Sequence, residues 1–177
     1  PDSKNLLYQF TTAFPVGISL ASSWNLELAG EVGNAVGKEM KAYGVTYWLA
    51  PGMNIHRNPL CGRNFEYFSE DPFVAGVMGQ AWVKGAQSAG VGTSLKHFAA
   101  NNQEYKRFNG NSQVDERTLR ELYLPAFETV IKTAQPETVM CSSPRINNVH
   151  ASDNHWLLTD VLRKDWGFAG LVVTDWG

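Results

Sequence analysis

Apolar positions along the chain follow two periods. Leu28, Val32, Val36 and Met40 fall four apart, as one face of a helix would. From Leu119 the positions Leu122, Tyr123, Ala126, Phe127 and Val130 make a second stripe, with Asp115 placed as its N-cap. Asp71 and Pro72 open another helix as N-cap and first helical residue. Leu157, Leu158, Val161 and Leu162 mark a further one, with Asp153 as its expected cap. Between these stretches lie short apolar runs at about 14–20, 45–50, 91–98, 137–142 and 170–175, which read as strands. Three times a helix-like stretch ends in glycine and hands over to such a run: KAYG before VTYWLAP, QSAG before VGTSLKHFA, and WGFAG before LVVTDWG. Glycine just past a helix accepts a positive φ without a Cβ clash, so these are helix stops.

Helices and buried strands in alternation imply a parallel sheet covered by helices. An open nucleotide-binding sheet would need a glycine-rich turn after a strand and before a helix. The nearest match, GVGTSL from Gly90, leads into a strand instead. Polar residues gather at the carboxyl ends of the strands, where barrel enzymes keep their chemistry. The expected fold is therefore α/β, a partial (β/α)8 TIM-type barrel of about five strand-helix units. A complete barrel takes roughly 250 residues, and this chain has 177.

Composition narrows the function. The chain is 44% hydrophobic and 12% aromatic, enough for a sizeable core. A net charge of −2 with scattered Lys and Arg offers no footprint for nucleic acid. No run reaches the ~18 to 20 apolar residues of a membrane span, so no membrane partner is expected. The amino terminus shows neither an initiating Met nor a basic and apolar leader, and Pro1 opens in mid-pattern. Cys61 and Cys141 read as ordinary thiols. His150, Asp153 and His155 are spaced for no common metal site, so neither a metal nor another cofactor is expected. Trp24, Trp82, Trp156 and Trp166 are assigned to the core or to helix packing.

The candidate chemistry lies at the strand ends. In GLVVTDWG the carboxylate of Asp175 closes a buried run, where it must be paired, solvated or used. The run ending in LAP is followed by a loop of about 20 residues, GMNIHRNPLCGRNFEYFSED, which carries His56, Arg57, Asn58, Arg63, Asn64, Glu66 and Tyr67. The next strand ends in Lys96 and His97, and NNQEYKRFNGN adds Glu104, Lys106 and Arg107. MCSSPRINN supplies Arg145 and Asn147, and Trp176 follows Asp175. Cations, a carboxylate and an indole face suit a polyhydroxylated ring. Arg57, Lys106 and Arg145 read as surface ion pairs rather than ligands.

Taken together, FPVGISLASSWN, GRNFEYFSEDP, LKHFAANNQE, DERTLRELYLPAFE, VMCSS and GLVVTDWG resemble the N-terminal barrel domain of glycoside hydrolase family 3 over essentially the whole chain. The resemblance implies a retaining, exo-acting β-glycosidase, foremost a β-glucosidase, that forms a covalent glycosyl-aspartate intermediate. It casts Asp175 as nucleophile, Arg63, Lys96, His97 and Arg107 as ligands of the sugar hydroxyls, and Trp176 as an aromatic wall beside the leaving group. The substrate would be a β-glucoside or a short β-linked oligosaccharide, and the NNQE run fits the β-glucosidase and β-xylosidase branch. The alternatives are a β-xylosidase or a non-catalytic, degenerate sugar-binding barrel. Lys96 and Arg63 are expected to keep the nucleophile ionised. Residues 1–177 would be a fragment of one barrel domain, lacking an upstream first strand and a downstream domain that supplies the acid/base. In place of the Tyr-Asn common in the family the chain has Ser143-Pro144, and Asn148 replaces a common Gly.

Overall fold

The computed structural model describes residues 9–176. Four strands form a parallel sheet: β1 (Tyr47–Trp48), β2 (Gly92–Phe98), β4 (Thr138–Cys141) and β7 (Leu171–Val173), in the order β1-β2-β4-β7. The register pairs Tyr47 with Gly92, Ser94 with Thr138, and Thr138 with Leu171. β3 (Asn111–Ser112), β5 (Arg145–Ile146) and β6 (Val149–His150) make a small second sheet over the carboxyl ends of the first. Each step between neighbouring strands of the large sheet passes through helix, as parallel pairing requires. The architecture is the α/β arc of a barrel that the alternating pattern implied.

The helices follow the local signals in most places. α1 (Gly17–Ala21) is a single turn, and α2 (Leu26–Ala42) starts where the Asn25 side chain accepts the Leu28 amide. α3 (Pro72–Ser88) opens as expected, with Asp71 accepting from Phe73 and Val74 and Pro72 in its first turn. Asp115 caps α4 (Glu116–Thr118) through the Thr118 amide. The chain then winds as a π-helix over Leu119–Tyr123 before α5 (Pro125–Ala134). The last helix, α6 (Trp156–Asp165), is also π-wound. Gly44 and Gly90 take positive φ after helices, as the sequence implied, whereas the third stop is Gly167, which takes the positive φ just after the last helix, and not Gly170 at the end of WGFAG.

Four expectations are corrected. Residues 14–20 do not form a strand: the Leu20 amide bonds back to the Val16 carbonyl, and α1 packs against the loop at Glu66. A Cβ on Gly17 would sit 2.7 Å from the Glu66 carbonyl, and the glycine permits that approach. α6 is capped by Asn154, which accepts the Leu157 amide, while Asp153 closes a preceding 3-10 turn. The stripe from Leu119 is not continuous, because Pro125 lacks an amide hydrogen and the π turn shifts the buried face. Leu119, Tyr123 and Leu124 are buried there, while Leu122 is left 36% exposed. Trp24 is no core residue: it sits between α1 and α2 with φ 53° and is 79% exposed. Trp82 and Trp166 are buried, and Trp156 is part-buried beneath the Arg120 guanidinium.

The main core lies between the sheet and α3, α5 and α6, around Met53, Met78, Leu95, Phe98, Phe127, Val139, Leu157 and Leu162. α2 packs on α3 through small residues, and a Cβ on Gly33 would run into the Trp82 carbonyl. Both cysteines are free and buried, and burial pushes the Cys141 thiol up to about 11. Among the described residues no helix is long and apolar enough to cross a membrane, and no three His, Cys, Asp or Glu side chains gather as metal ligands.

Candidate active site

Lys96 and His97 project from the end of β2, where the pairing with β4 slips between Leu95 and Phe98. Such an irregularity re-aims side chains that a regular strand would send to opposite faces. The backbone of His97 is pinned from behind: Asn54 Nδ2 donates to its carbonyl at 3.0 Å, and its amide donates to Asn54 Oδ1 at 2.8 Å. The loop after β1 is tied to the same place, because Gly52 bridges to both Tyr67 and Lys96. Asp175 arrives two residues after β7, and Ser143 two residues after β4. Asp175, Ser143, Lys96 and His97 thus meet at the carboxyl edge of one parallel sheet.

Two carboxylates organise the charges there. Glu66, on the 3-10 turn Asn64–Glu66, accepts Arg63 Nε on Oε1 and Lys96 Nζ on Oε2, the latter at 3.0 Å. Burial works against the Arg63 charge, but the bond to Glu66 and the surrounding negative groups outweigh it and raise its pKa. Asp175 has a 12% exposed side chain, and its Oδ2 collects the neighbours. Arg107 Nη1 lies at 3.3 Å, Ser143 Oγ donates at 3.2 Å, and His97 Nε2 stands off at 3.9 Å. Among the described residues no donor lies on Oδ1. The cation touching Asp175 is Arg107, whereas Lys96 and Arg63 are both engaged by Glu66, which corrects the expectation that those two would serve it.

His97 is 1% exposed and neutral. Burial first, then the charges of Arg63, Lys96 and Arg107, push its pKa down to about 2. Its approach to Asp175 is therefore not an ion pair. Nδ1 lies 3.1 Å from the Tyr67 hydroxyl, while Nε2 is buried with no hydrogen-bond partner among the described residues. Burial raises the Tyr67 pKa, so the phenol keeps its proton. Asn101 Nδ2 donates to Tyr67 Oη at 3.2 Å and to Glu104 Oε1 at 3.0 Å. Glu104 Oε2 in turn accepts from Arg107 Nη1 at 3.5 Å.

The structure thus brings together five of the six residues singled out in the sequence: Arg63, Lys96, His97, Arg107 and Asp175. Trp176 is the sixth, 70% exposed beside Asp175. Sequence reading named Glu66, Tyr67 and Glu104 among the polar residues at the strand ends and noted Ser143 as a departure, but gave none of them a role in the site, and it passed over Asn101. Glu66 and Tyr67 carried a local sign, lying three and four residues after Arg63 in one polar loop, but their partners come from β2. Arg57 donates to Tyr123 Oη at 3.2 Å and Arg145 to His150 Nε2 at 3.2 Å, so both have structural partners. Lys106 lies over the Tyr105 ring. A cavity of about 650 Å³ beside β1, lined by Trp48, Phe68 and Trp82, reaches Glu66 and Lys96 at one end.

One carboxylate is thus clamped on both oxygens and the other held on one, and comparison with known proteins says which family builds this arrangement. The profile of the Glycosyl hydrolase family 3 N terminal domain matches residues 4–177. The exo-alpha-(1->6)-L-arabinopyranosidase of Bifidobacterium breve is 57% identical over 166 residues, 94% of this chain and 22% of the relative. The thermostable beta-glucosidase B of Acetivibrio thermocellus is 52% identical over 166 residues, again 94% and 22%. The structure of beta-glucosidase 3B from Thermotoga neapolitana in complex with glucose superposes with a TM-score of 0.96 at 53% identity, covering 99% of this chain and 25% of that one. The chain spans about a fifth of the length of the curated relatives it matches. With a match from residue 4 to the last residue and a shared arrangement of strands, the chain belongs to glycosyl hydrolase family 3, as its N-terminal domain.

Proposed function

We propose that this chain is the nucleophile-bearing barrel domain of a retaining, exo-acting β-glycosidase whose foremost substrates are β-glucosides. The observation that carries the proposal is the one-sided holding of Asp175. Arg107 and Ser143 fix Oδ2, which orients the carboxylate, while Oδ1 stays free to attack an anomeric carbon. His97 and Arg107 beside Asp175, with Lys96 and Arg63 beside Glu66, are the donors offered to ring hydroxyls, and the exposed face of Trp176 suits a leaving-group sugar. Donors that tighten as the ring flattens toward an oxocarbenium ion stabilise the transition state more than the ground state.

A retaining mechanism also needs a carboxylic acid to protonate the departing oxygen. Glu66 gives both oxygens to cations, and Glu104 accepts from Asn101 and Arg107, so neither is placed to give a proton. The family resemblance implies an acid/base supplied by a further domain, and the occupied state of Glu66 and Glu104 fits that reading. The test is to trap the intermediate: an activated 2-deoxy-2-fluoro-β-glucoside should leave a stable fluoroglycosyl mass on the peptide containing Asp175. Labelling of any other carboxylate would overturn the assignment.

A second reading concerns the sugar. Two relatives, each 57% identical, are named exo-alpha-(1->6)-L-arabinopyranosidase. An α-L-arabinopyranoside has the ring frame of a β-D-galactoside without its hydroxymethyl group, so the same nucleophile face would serve it. Ranking kcat/KM for aryl β-D-glucoside, β-D-xyloside and α-L-arabinopyranoside separates the three.

A further inference from the structure

Tyr67 is fully buried, and no step proposed above uses it, although it forms the only described hydrogen bond to the His97 ring. The direction of that bond follows from the groups behind it. The Glu104 carboxylate takes Arg107 on one oxygen and Asn101 on the other, so the Asn101 atom facing it at 3.0 Å is the donating amide nitrogen. That nitrogen spends its other hydrogen on Tyr67 Oη at 3.2 Å. With one site on its oxygen already accepting, the phenol directs its own O–H at His97 Nδ1, 3.1 Å away. A neutral imidazole that accepts at Nδ1 carries its proton at Nε2. Nε2 is the buried ring nitrogen left without a partner, and it faces the Asp175 side of the site.

We propose that Glu104, Asn101 and Tyr67 form a positioning relay that holds His97 in the Nε2–H tautomer, so that its free N–H serves as a fixed donor to a substrate hydroxyl. The proposal rests on the β-glycosidase reading for the donor's use, but not for the tautomer itself. With the opposite tautomer, a bare Nε2 would face the Asp175 carboxylate, two acceptors repelling across 3.9 Å. Glu104 also accepts from Arg107, the cation beside Asp175, so one carboxylate orients both the donor and the cation of the site.

The test uses the full-length protein that contains this chain. Tyr67→Phe keeps the ring that fills the core and removes only the hydroxyl. It should lower kcat about 10- to 100-fold with KM changed less than threefold, since the lost donor matters most in the transition state. In a His97→Gln background the amide nitrogen stands near the Nε2 position and donates without any tautomer to fix. There Tyr67→Phe should cost less than twofold more. Full additivity of the two changes would overturn the relay and reduce Tyr67 to packing. Asn101→Ala, which removes the upstream donor, should show the same silence over His97→Gln and serves if Tyr67→Phe does not fold. Independently of turnover, ¹⁵N shifts of the His97 ring, assigned by their loss in His97→Gln, should show a protonated Nε2 and a bare Nδ1. The opposite pattern would overturn the tautomer even if the protein hydrolyses β-glucosides, and absence of turnover with the expected pattern would overturn the glycosidase reading alone.

Discussion

Glu66 and Asp175 sit a few side chains apart, both mostly buried and both facing cations, yet they are built for different tasks. Glu66 is saturated: Arg63 holds one oxygen and Lys96 the other. A carboxylate clamped on both sides orders its partners, and attack would require breaking an ion pair. Asp175 is held on Oδ2 alone, by a cation and a hydroxyl. The comparison shows that proximity to positive charge does not by itself mark a nucleophile. The distribution of donors over the two oxygens does.

The largest effect should come from the carboxylate held on one side. Asp175→Asn should lower kcat by about four to six orders of magnitude, as for other catalytic nucleophiles, with little change in thermal unfolding. A loss under about 100-fold would put the two carboxylates back on equal footing. Next comes Lys96, which the saturated carboxylate positions. Lys96→Ala should cost on the order of 2 to 4 kcal/mol in kcat/KM, and the loss should shrink on the deoxy-sugar lacking the hydroxyl it contacts. Equal losses on every deoxy-sugar would leave Lys96 as no more than the ion-pair partner of Glu66.

A smaller effect belongs to the imidazole between the two clusters. The folded pKa of His97, about 2, lies below the ordinary histidine value of 6.5. Below pH 6.5 the unfolded chain takes up a proton that the folded chain refuses, so stability is intact above that pH and falls as the pH drops toward 2. The slope approaches about 1.4 kcal/mol per pH unit in that window. Denaturant titrations at pH 6 and pH 4.5 should therefore show a gentler acid loss in His97→Gln than in the parent. Parallel losses would mean that His97 is protonated in the fold. The smallest effect is expected from Ser143→Ala, which removes one of the two groups on Oδ2: about a fivefold fall in kcat, with Arg107 still holding the carboxylate. If activity were unchanged, the one-sided holding would rest on Arg107 alone.

These clusters also show where sequence reading succeeds. The cap at Asp71, the proline after it, the cap at Asp115 and the stops at Gly44 and Gly90 are local, each fixed by chemistry within a few residues. The four strands of the large sheet were legible as apolar runs, and Asp175 stood out as a charge at the end of one. Residues 14–20 misled because one helical turn and one short strand share the same apolar content. At α6, Asn154 and Asp153 are both able caps, and the choice depends on the 3-10 turn before them. The role of Glu66 was hidden for a different reason: Lys96 reaches it across 30 residues of chain, through a bridge between Gly52 and the end of β2. The bond from Ser143 to Asp175 likewise joins the ends of two adjacent strands, and neither partner advertises the other in sequence. What was missed is pairing rather than identity, because pairings are set by sheet register.

The most direct measurement of the central claim is product stereochemistry after removing the carboxylate. In the full-length protein, Asp175→Gly leaves a cavity on the face opposite the leaving group, large enough for azide. With an activated aryl β-glucoside, whose leaving group needs no proton, azide should restore turnover and give the α-glucosyl azide, because one displacement then replaces two. The anomeric proton in the NMR spectrum reads the configuration. An α product is the predicted result. A β-configured azide, or hydrolysis undiminished without azide, would contradict it and show that another group is the nucleophile.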